Sequence, residues 1–215
     1  MAVFQKQTFW RSYMPFMENK YQYIDPDYAY TNKNGVLRNL ANIEDERILL
    51  AYESLKVSKR VEELFENPIT IVDADSLLII HYYLFQDVYE WAGKVRTVNI
   101  SKNGKPFFDK ERFNIAFQYI NTLISNYRAI RKSMKQELSQ SLAEILDHVN
   151  YLHPFREGNG RTQREFIRLL ALEKNMILNL NPPDNKSVYD RYMLGTINSD
   201  VKTLTELILE QIMNQ

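Results

Sequence analysis

Apolar residues recur at helical spacing along most of the chain. From Asp45 through about Leu64 they fall at Ile48, Leu49, Tyr52, Leu55 and Val61, before Pro68 interrupts the pattern. This predicts an amphipathic helix. A second helix is expected to begin near Asp73, whose carboxylate can cap it, and to run through Leu77, Leu78, Ile80, His81, Leu84 and Phe85. The period then changes to two. Val95–Ile100 alternates apolar and polar residues, Lys102–Lys105 carries a turn signal with Asn103-Gly104 at its tip, and Pro106–Phe108 follows. A short β-hairpin is expected there. Helical spacing returns at Phe113, Ala116, Phe117, Ile120, Leu123 and Ile124, and again at Leu138, Leu142, Ile145, Leu146, Val149 and Leu152. The latter is a broad apolar face that ends where Pro154 forces the residue before it out of helical geometry. Phe166, Ile167, Leu169, Leu170 and Leu172 mark another buried helix, and two more are expected around Val188–Ile197 and Leu204–Ile212, beyond the Pro182-Pro183 break.

The first forty residues read differently. Tyr21, Tyr23, Pro26, Tyr28, Tyr30, Asn32, Asn34 and Gly35 show no period and predict irregular turns. No repeat, low-complexity tract or flexible linker is visible. The expected architecture is mainly α, a single helical-bundle domain over 1–215 with one short β-hairpin. It divides into an irregular segment at about 1–43, a core at about 44–200 and a C-terminal helix at about 201–215.

Composition narrows the function. The 215 residues carry 27 Lys and Arg against 27 Asp and Glu, without the basic excess expected of a nucleic-acid binder. There are no cysteines, which excludes disulfides, thiolate catalysis and cysteine-ligated metal. The N-terminus lacks the basic and apolar regions of a secretory signal. No apolar run approaches the eighteen or so residues that span a bilayer. A soluble, cytoplasmic protein with no membrane or nucleic-acid partner is expected, with delivery to another cell as the alternative.

Candidate chemistry concentrates in His153-Pro-Phe-Arg-Glu-Gly-Asn-Gly-Arg-Thr-Gln-Arg164, between two apolar helices. Glycine-rich backbone entering a helix leaves N–H groups and the positive end of the helix dipole facing outward, an arrangement that binds phosphate. Arg161 and Arg164, three apart, are expected to share a face and reach polyphosphate oxygens. Glu157 would repel such a ligand unless a cation intervened, so Mg²⁺ is the natural occupant. His153 can take a proton from a hydroxyl, and Phe155 would anchor the loop. Singly, each has a plainer reading: a histidine before proline as a turn residue, Gly-Asn-Gly as a turn, two arginines as a solvated face. Their occurrence together within twelve residues points to phosphoryl or nucleotidyl transfer. His81 and His148, on or near core faces, are assigned no role, and no zinc-ligand spacing is present.

These twelve residues resemble the full signature of the Fic family of AMP transferases, His-Pro-Phe-x-(Asp/Glu)-Gly-Asn-Gly-Arg-x-x-Arg. Leu84–Arg96 is similar to the stretch preceding that family's flap, Val98–Phe108 to the flap, and Tyr28-Ala-Tyr30, Val36–Asn39 and Ile43-Glu-Asp45 to its N-terminal portion. The resemblance spans roughly residues 25 to 200 and implies a Fic fold. It further implies that His153 deprotonates a target Ser, Thr or Tyr hydroxyl, which attacks the α-phosphate of ATP and expels pyrophosphate. Glu157 would hold Mg²⁺. Gly158, Asn159 and Gly160 would form the anion hole, with Asn159 orienting the α-phosphate, while Arg161 and Arg164 would hold the β- and γ-phosphates. Lys102, Asn103, Gly104, Lys105, Pro106 and Phe107 would pair with the target as an added strand. Arg38 and Asn39 would contact the nucleotide.

The resemblance also raises the question of restraint. Many Fic proteins carry a helix with (Ser/Thr)-x-x-x-Glu-(Gly/Asn) whose glutamate covers the second motif arginine. Here Glu precedes Gly or Asn only at Glu18, Glu66 and Glu157, and Met14, Glu62 and His153 stand four residues before. The expectation is a chain silenced by a separate small antitoxin that supplies a glutamate near Arg164. Rival readings are transfer of phosphocholine or UMP, kinase chemistry as in the Doc branch (which has Lys where this chain has Gly160), AMP removal, and an idle interaction module. The family includes both toxins of bacterial targets and effectors acting on host proteins.

Overall fold

The computed structural model describes residues 22–23, 29–102, 104–182 and 184–213. The irregular turns expected over most of 1–28, the hairpin-tip residue Asn103 and Pro183 of the proline break lie outside the described residues. Among the described residues the order is β1 (Gln22–Tyr23), α1 (Glu46–Glu66), α2 (Ser76–Phe85), β2 (Ile100–Lys102), β3 (Lys105–Pro106), α3 (Phe113–Ala129), α4 (Lys135–Leu152), α5 (Asn159–Glu173), α6 (Lys186–Asn198) and α7 (Val201–Met213). The fold is mainly helical with one small antiparallel sheet.

Helix α4 is the centre of the bundle. Its stripe Leu138, Leu142, Ile145, Leu146, Val149 and Leu152 is fully buried, and α3, α5, α6 and α7 all pack against it. Helix α2 lies on α5, and α1 lies on α2. One continuous apolar cluster runs from Val36 to Ile212. Because α4 and α5 are wedged into that cluster from both sides, the loop between them is held at both ends.

Three expectations need correction. Ile48 and Leu55 of α1, read as core, are 60% and 56% exposed. The buried stripe is Leu49, Glu53, Val57, Val61 and Leu64, rotated so that a carboxylate faces inward. Asp45, where the helical spacing starts, caps α1, accepting from the Arg47 and Ile48 N–H groups. Asp73 does not cap α2, which starts at Ser76; its carboxylate takes the Asp75 N–H in the preceding turn. Finally, the flap strand begins at Ile100 rather than Val95, because the residues before it bond elsewhere. Arg96 N–H donates to the Pro154 carbonyl at 2.7 Å and Thr97 N–H to the Tyr30 hydroxyl at 2.9 Å. The sheet has a strand that the turn-rich N-terminal pattern does not announce: β1 pairs with β2 antiparallel, Gln22 opposite Ser101 and Tyr23 opposite Ile100.

Candidate active site

Between α4 and α5 the chain turns on two left-handed residues. His153 ends α4 at φ 44°, a conformation a residue with a side chain holds only when its surroundings over-determine it. Gly158 precedes α5 at φ 83°, and a Cβ there would lie 2.4 Å from the Phe85 ring, so position, conformation and packing all require glycine. No side chain caps α5. Its first N–H groups and the positive end of its dipole therefore face the mouth of the loop. Phe155 is buried and stacks on the His81 ring at 3.8 Å. Asn159 uses its side-chain amide to clasp the loop, donating to the Phe155 carbonyl at 2.8 Å and accepting from the Phe155 N–H at 2.9 Å. That amide shapes the loop, while the main-chain N–H of Asn159 lies at the start of α5.

His153 is 6% exposed. Its Nδ1–H donates to the Asn150 carbonyl at 2.9 Å, which fixes the tautomer and leaves the Nε2 lone pair as the basic one. Burial, with Lys102 and Arg96 nearby, pushes its pKa down to about 3, against the opposing pull of the Asn150 bond. Phe107 of the flap stacks on the imidazole at 3.8 Å. Beneath both lies Arg96, a buried guanidinium whose Nε donates to the His153 carbonyl at 2.9 Å. Its two Nη atoms donate to the Val98 and Phe108 carbonyls and the Asn99 amide oxygen, and it sits over the Phe113 ring. One side chain thereby ties the His153 backbone to both ends of the flap.

On the other side of the loop is a charged cluster, with Glu53 and Arg161 buried and Glu157 half-buried. Arg161 Nη2 lies 2.6 Å from Glu53 Oε1 and 3.9 Å from Glu157 Oε1. Its guanidinium rests 4.7 Å from the Phe85 ring centre. The Tyr89 hydroxyl donates to the second oxygen of Glu53. Burial and then the Glu53 charge push the Glu157 carboxyl above its ordinary range, with Arg161 opposing. His81 holds the loop from below. Gly93 N–H donates to its Nδ1 at 2.8 Å, so its Nε2–H donates to the Glu157 carbonyl at 3.0 Å. Arg164 stands apart, its guanidinium over the Tyr189 and Tyr192 rings of α6. The two arginines, expected on a common face, thus have different surroundings. Among the described residues no carboxylate forms an ion pair with Arg164.

Outside the loop, Arg38 donates to the Thr31 carbonyl, and Asn39 bonds Leu37 and Ile43 of its own turn. The flap residues Gly104, Lys105 and Pro106 are exposed, with Lys102 and Phe107 half-buried. Because β2 lies between β1 and β3, an added strand would meet the sheet along Lys105–Pro106 or along Gln22–Tyr23. Glu53, Tyr89, Arg96 and His81 are the site residues that sequence reasoning passed over. Glu53 alone had a visible signal, a charge at apolar spacing with Leu49, Val57, Val61 and Leu64.

A model of the Fic/DOC family matches residues 71–171, from just before α2 through most of α5. The chain is 39% identical over 152 residues to the protein adenylyltransferase VbhT of Bartonella schoenbuchensis, across 70% of this chain and 30% of that protein. It is 30% identical over 194 residues to the probable protein adenylyltransferase y4lH of Sinorhizobium fredii, across 90% of this chain and 99% of that one. The chain thus spans less than a third of the first relative and nearly all of the second. Its fold is similar to that of the effector BepC of Bartonella tribocorum, solved with bound AMPPNP, at a TM-score of 0.75 and 22% identity over 86% of this chain and 96% of the other.

Proposed function

The chain belongs to the Fic/DOC family, and from that premise we propose that it is a protein adenylyltransferase, moving AMP from ATP to a Ser, Thr or Tyr hydroxyl of another protein. One observation carries the reading. The base His153, with its tautomer fixed by Asn150, and the uncapped N-terminus of α5 are the two ends of a single clamped loop. A hydroxyl at one end and a phosphate at the other are thereby brought together. His153 Nε2 accepts the hydroxyl proton as the oxygen bonds to the α-phosphorus. The bond from that phosphorus to its bridging oxygen breaks, and pyrophosphate leaves. Of the expected anion hole, the Gly158 N–H donates to the Glu157 carboxylate, so the main-chain amides of Asn159 and Gly160, joined by that of Arg161, stabilise the charge that builds on the non-bridging oxygens. The guanidinium groups of Arg161 and Arg164 hold the β- and γ-phosphates. ATP as the donor is supported by the bound AMPPNP named for BepC.

Glu157 is the residue that would hold Mg²⁺. Its side chain is 32% exposed beside Arg161, and Mg²⁺ in such sites takes one or two carboxylates with phosphate oxygens and water, so no larger cluster of ligands is needed. When bound, the ion neutralises phosphate charge. The flap from Lys102 to Phe107 is the surface on which the target segment would lie. Arg164, over two tyrosines and without a carboxylate among the described residues, is where a separate small partner would place an inhibitory glutamate. No described helix is long and apolar enough to cross a membrane, and the compartment of action is a cytoplasm, the cell's own or that of a recipient cell.

The test is incubation of the full chain with ATP in bacterial and eukaryotic lysates, followed by mass spectrometry of modified proteins. AMP on a hydroxyl side chain, absent with His153→Ala, is the expected result. An adduct that persists in His153→Ala would remove the base from the mechanism.

A further inference from the structure

We propose that Glu53 of α1 is a positioning residue for Arg161, fixing that guanidinium so that one edge is presented to the polyphosphate. The inference rests on the reading that Arg161 binds phosphate, and it adds a residue from outside the motif to that site. Glu53 is 3% exposed and Arg161 8%, so the pair is desolvated and its geometry is not averaged by water. Both carboxylate oxygens of Glu53 are engaged, Oε1 by Arg161 Nη2 at 2.6 Å and Oε2 by the Tyr89 hydroxyl. With the Phe85 ring against the guanidinium, Arg161 has little freedom to turn.

The other terminal nitrogen, Nη1, is buried and has no hydrogen-bond partner among the described residues. Folded proteins rarely leave a buried donor unmade, because its lost hydration is then not repaid. A charged donor left open beside a helix N-terminus that itself faces anions is explained by a ligand oxygen that completes it. Glu53 and that oxygen address different nitrogens, so they need not compete. Glu53 sets the orientation through Nη2 while Nη1 meets the phosphate. Holding the donor in place before the ligand arrives lowers the ordering cost of binding.

The experiment compares the wild-type chain, Glu53→Gln and Tyr89→Phe by calorimetric titration with AMPPNP and, separately, with AMP. Gln keeps the size of Glu and an acceptor for Tyr89 but removes the charge that holds Arg161. Glu53→Gln is expected to weaken AMPPNP by about tenfold, the scale on which outer-shell partners act. AMP, lacking the β- and γ-phosphates, should bind as before. Tyr89→Phe should move the same ratio in the same direction by less, and it carries the test if Glu53→Gln does not fold. Equal loss of both nucleotides would show a merely structural residue and overturn the proposal. Unchanged or tighter AMPPNP binding in Glu53→Gln would also overturn it, the latter by showing that Glu53 withdraws Arg161 from phosphate. If wild type itself failed to bind AMPPNP, the nucleotide-transfer reading would fall, and this proposal with it.

Discussion

His153 shows how much of this site is a matter of individual atoms. Its left-handed backbone, its Nδ1 bond to Asn150 and its cover by Phe107 leave the imidazole neutral and aimed. His81, buried against Phe85, Trp91 and Phe155, is likewise held neutral. Burial pushes both pKa values down to about 3, below the ordinary value of 6.5. The sign of the linkage follows directly. The unfolded chain takes up protons at these two groups below pH 6.5 while the folded chain does not, so the stability they allow is present above that pH and is lost as pH falls toward 3. Each contributes a slope of about 1.4 kcal/mol per pH unit in that window. Thermal melts should therefore show Tm dropping between pH 6.5 and about 4.5, before most carboxylates titrate. A Tm that is flat across that interval would mean the two imidazoles are not held neutral by burial.

At the level of elements, the helices were legible because each buries a stripe that repeats along its own sequence. The stripe of α4, spaced four, three, one, three and three, is the clearest, and its termination at Pro154 follows from local sterics. The flap was legible as a hairpin but not in its bounds. Val95–Ile100 alternates like a strand, yet the Arg96 and Thr97 N–H groups bond to Pro154 and Tyr30, residues distant in the chain that no local period reveals. Arg96 makes the flap and the loop after His153 one mechanical unit. Lysine there keeps the charge but cannot reach the several carbonyls the guanidinium fork spans. Arg96→Lys should therefore lower turnover by about tenfold or more, since misplacing a reacting group by even 1 Å is costly, while AMPPNP affinity, set on the other side of the loop, stays near wild type. Parallel loss of affinity and turnover would show that Arg96 supports the whole fold rather than the link between flap and base.

Across the whole molecule, the site draws on more than the segment that carries its signature. The family match covers 71–171, but Arg161 is oriented by Glu53 of α1, and Arg164 lies on Tyr189 and Tyr192 of α6. Motif chemistry is legible when its residues are contiguous, as His153 to Arg164 are. The acid facing inward from α1 is not, because its partner is chosen by the packing of α1 on α2 and of α2 on α5. The central claim is the identity of the transferred group, which two positions of label in ATP separate. The full chain is incubated in lysate with ATP labelled at the α-phosphate and, in parallel, at the γ-phosphate, each beside His153→Ala. Transfer of AMP predicts protein-bound label from the α-position that is lost in His153→Ala, and no γ-position label that depends on His153. Protein-bound label from the γ-position that requires His153, with none from the α-position, would contradict it and make the chain a kinase.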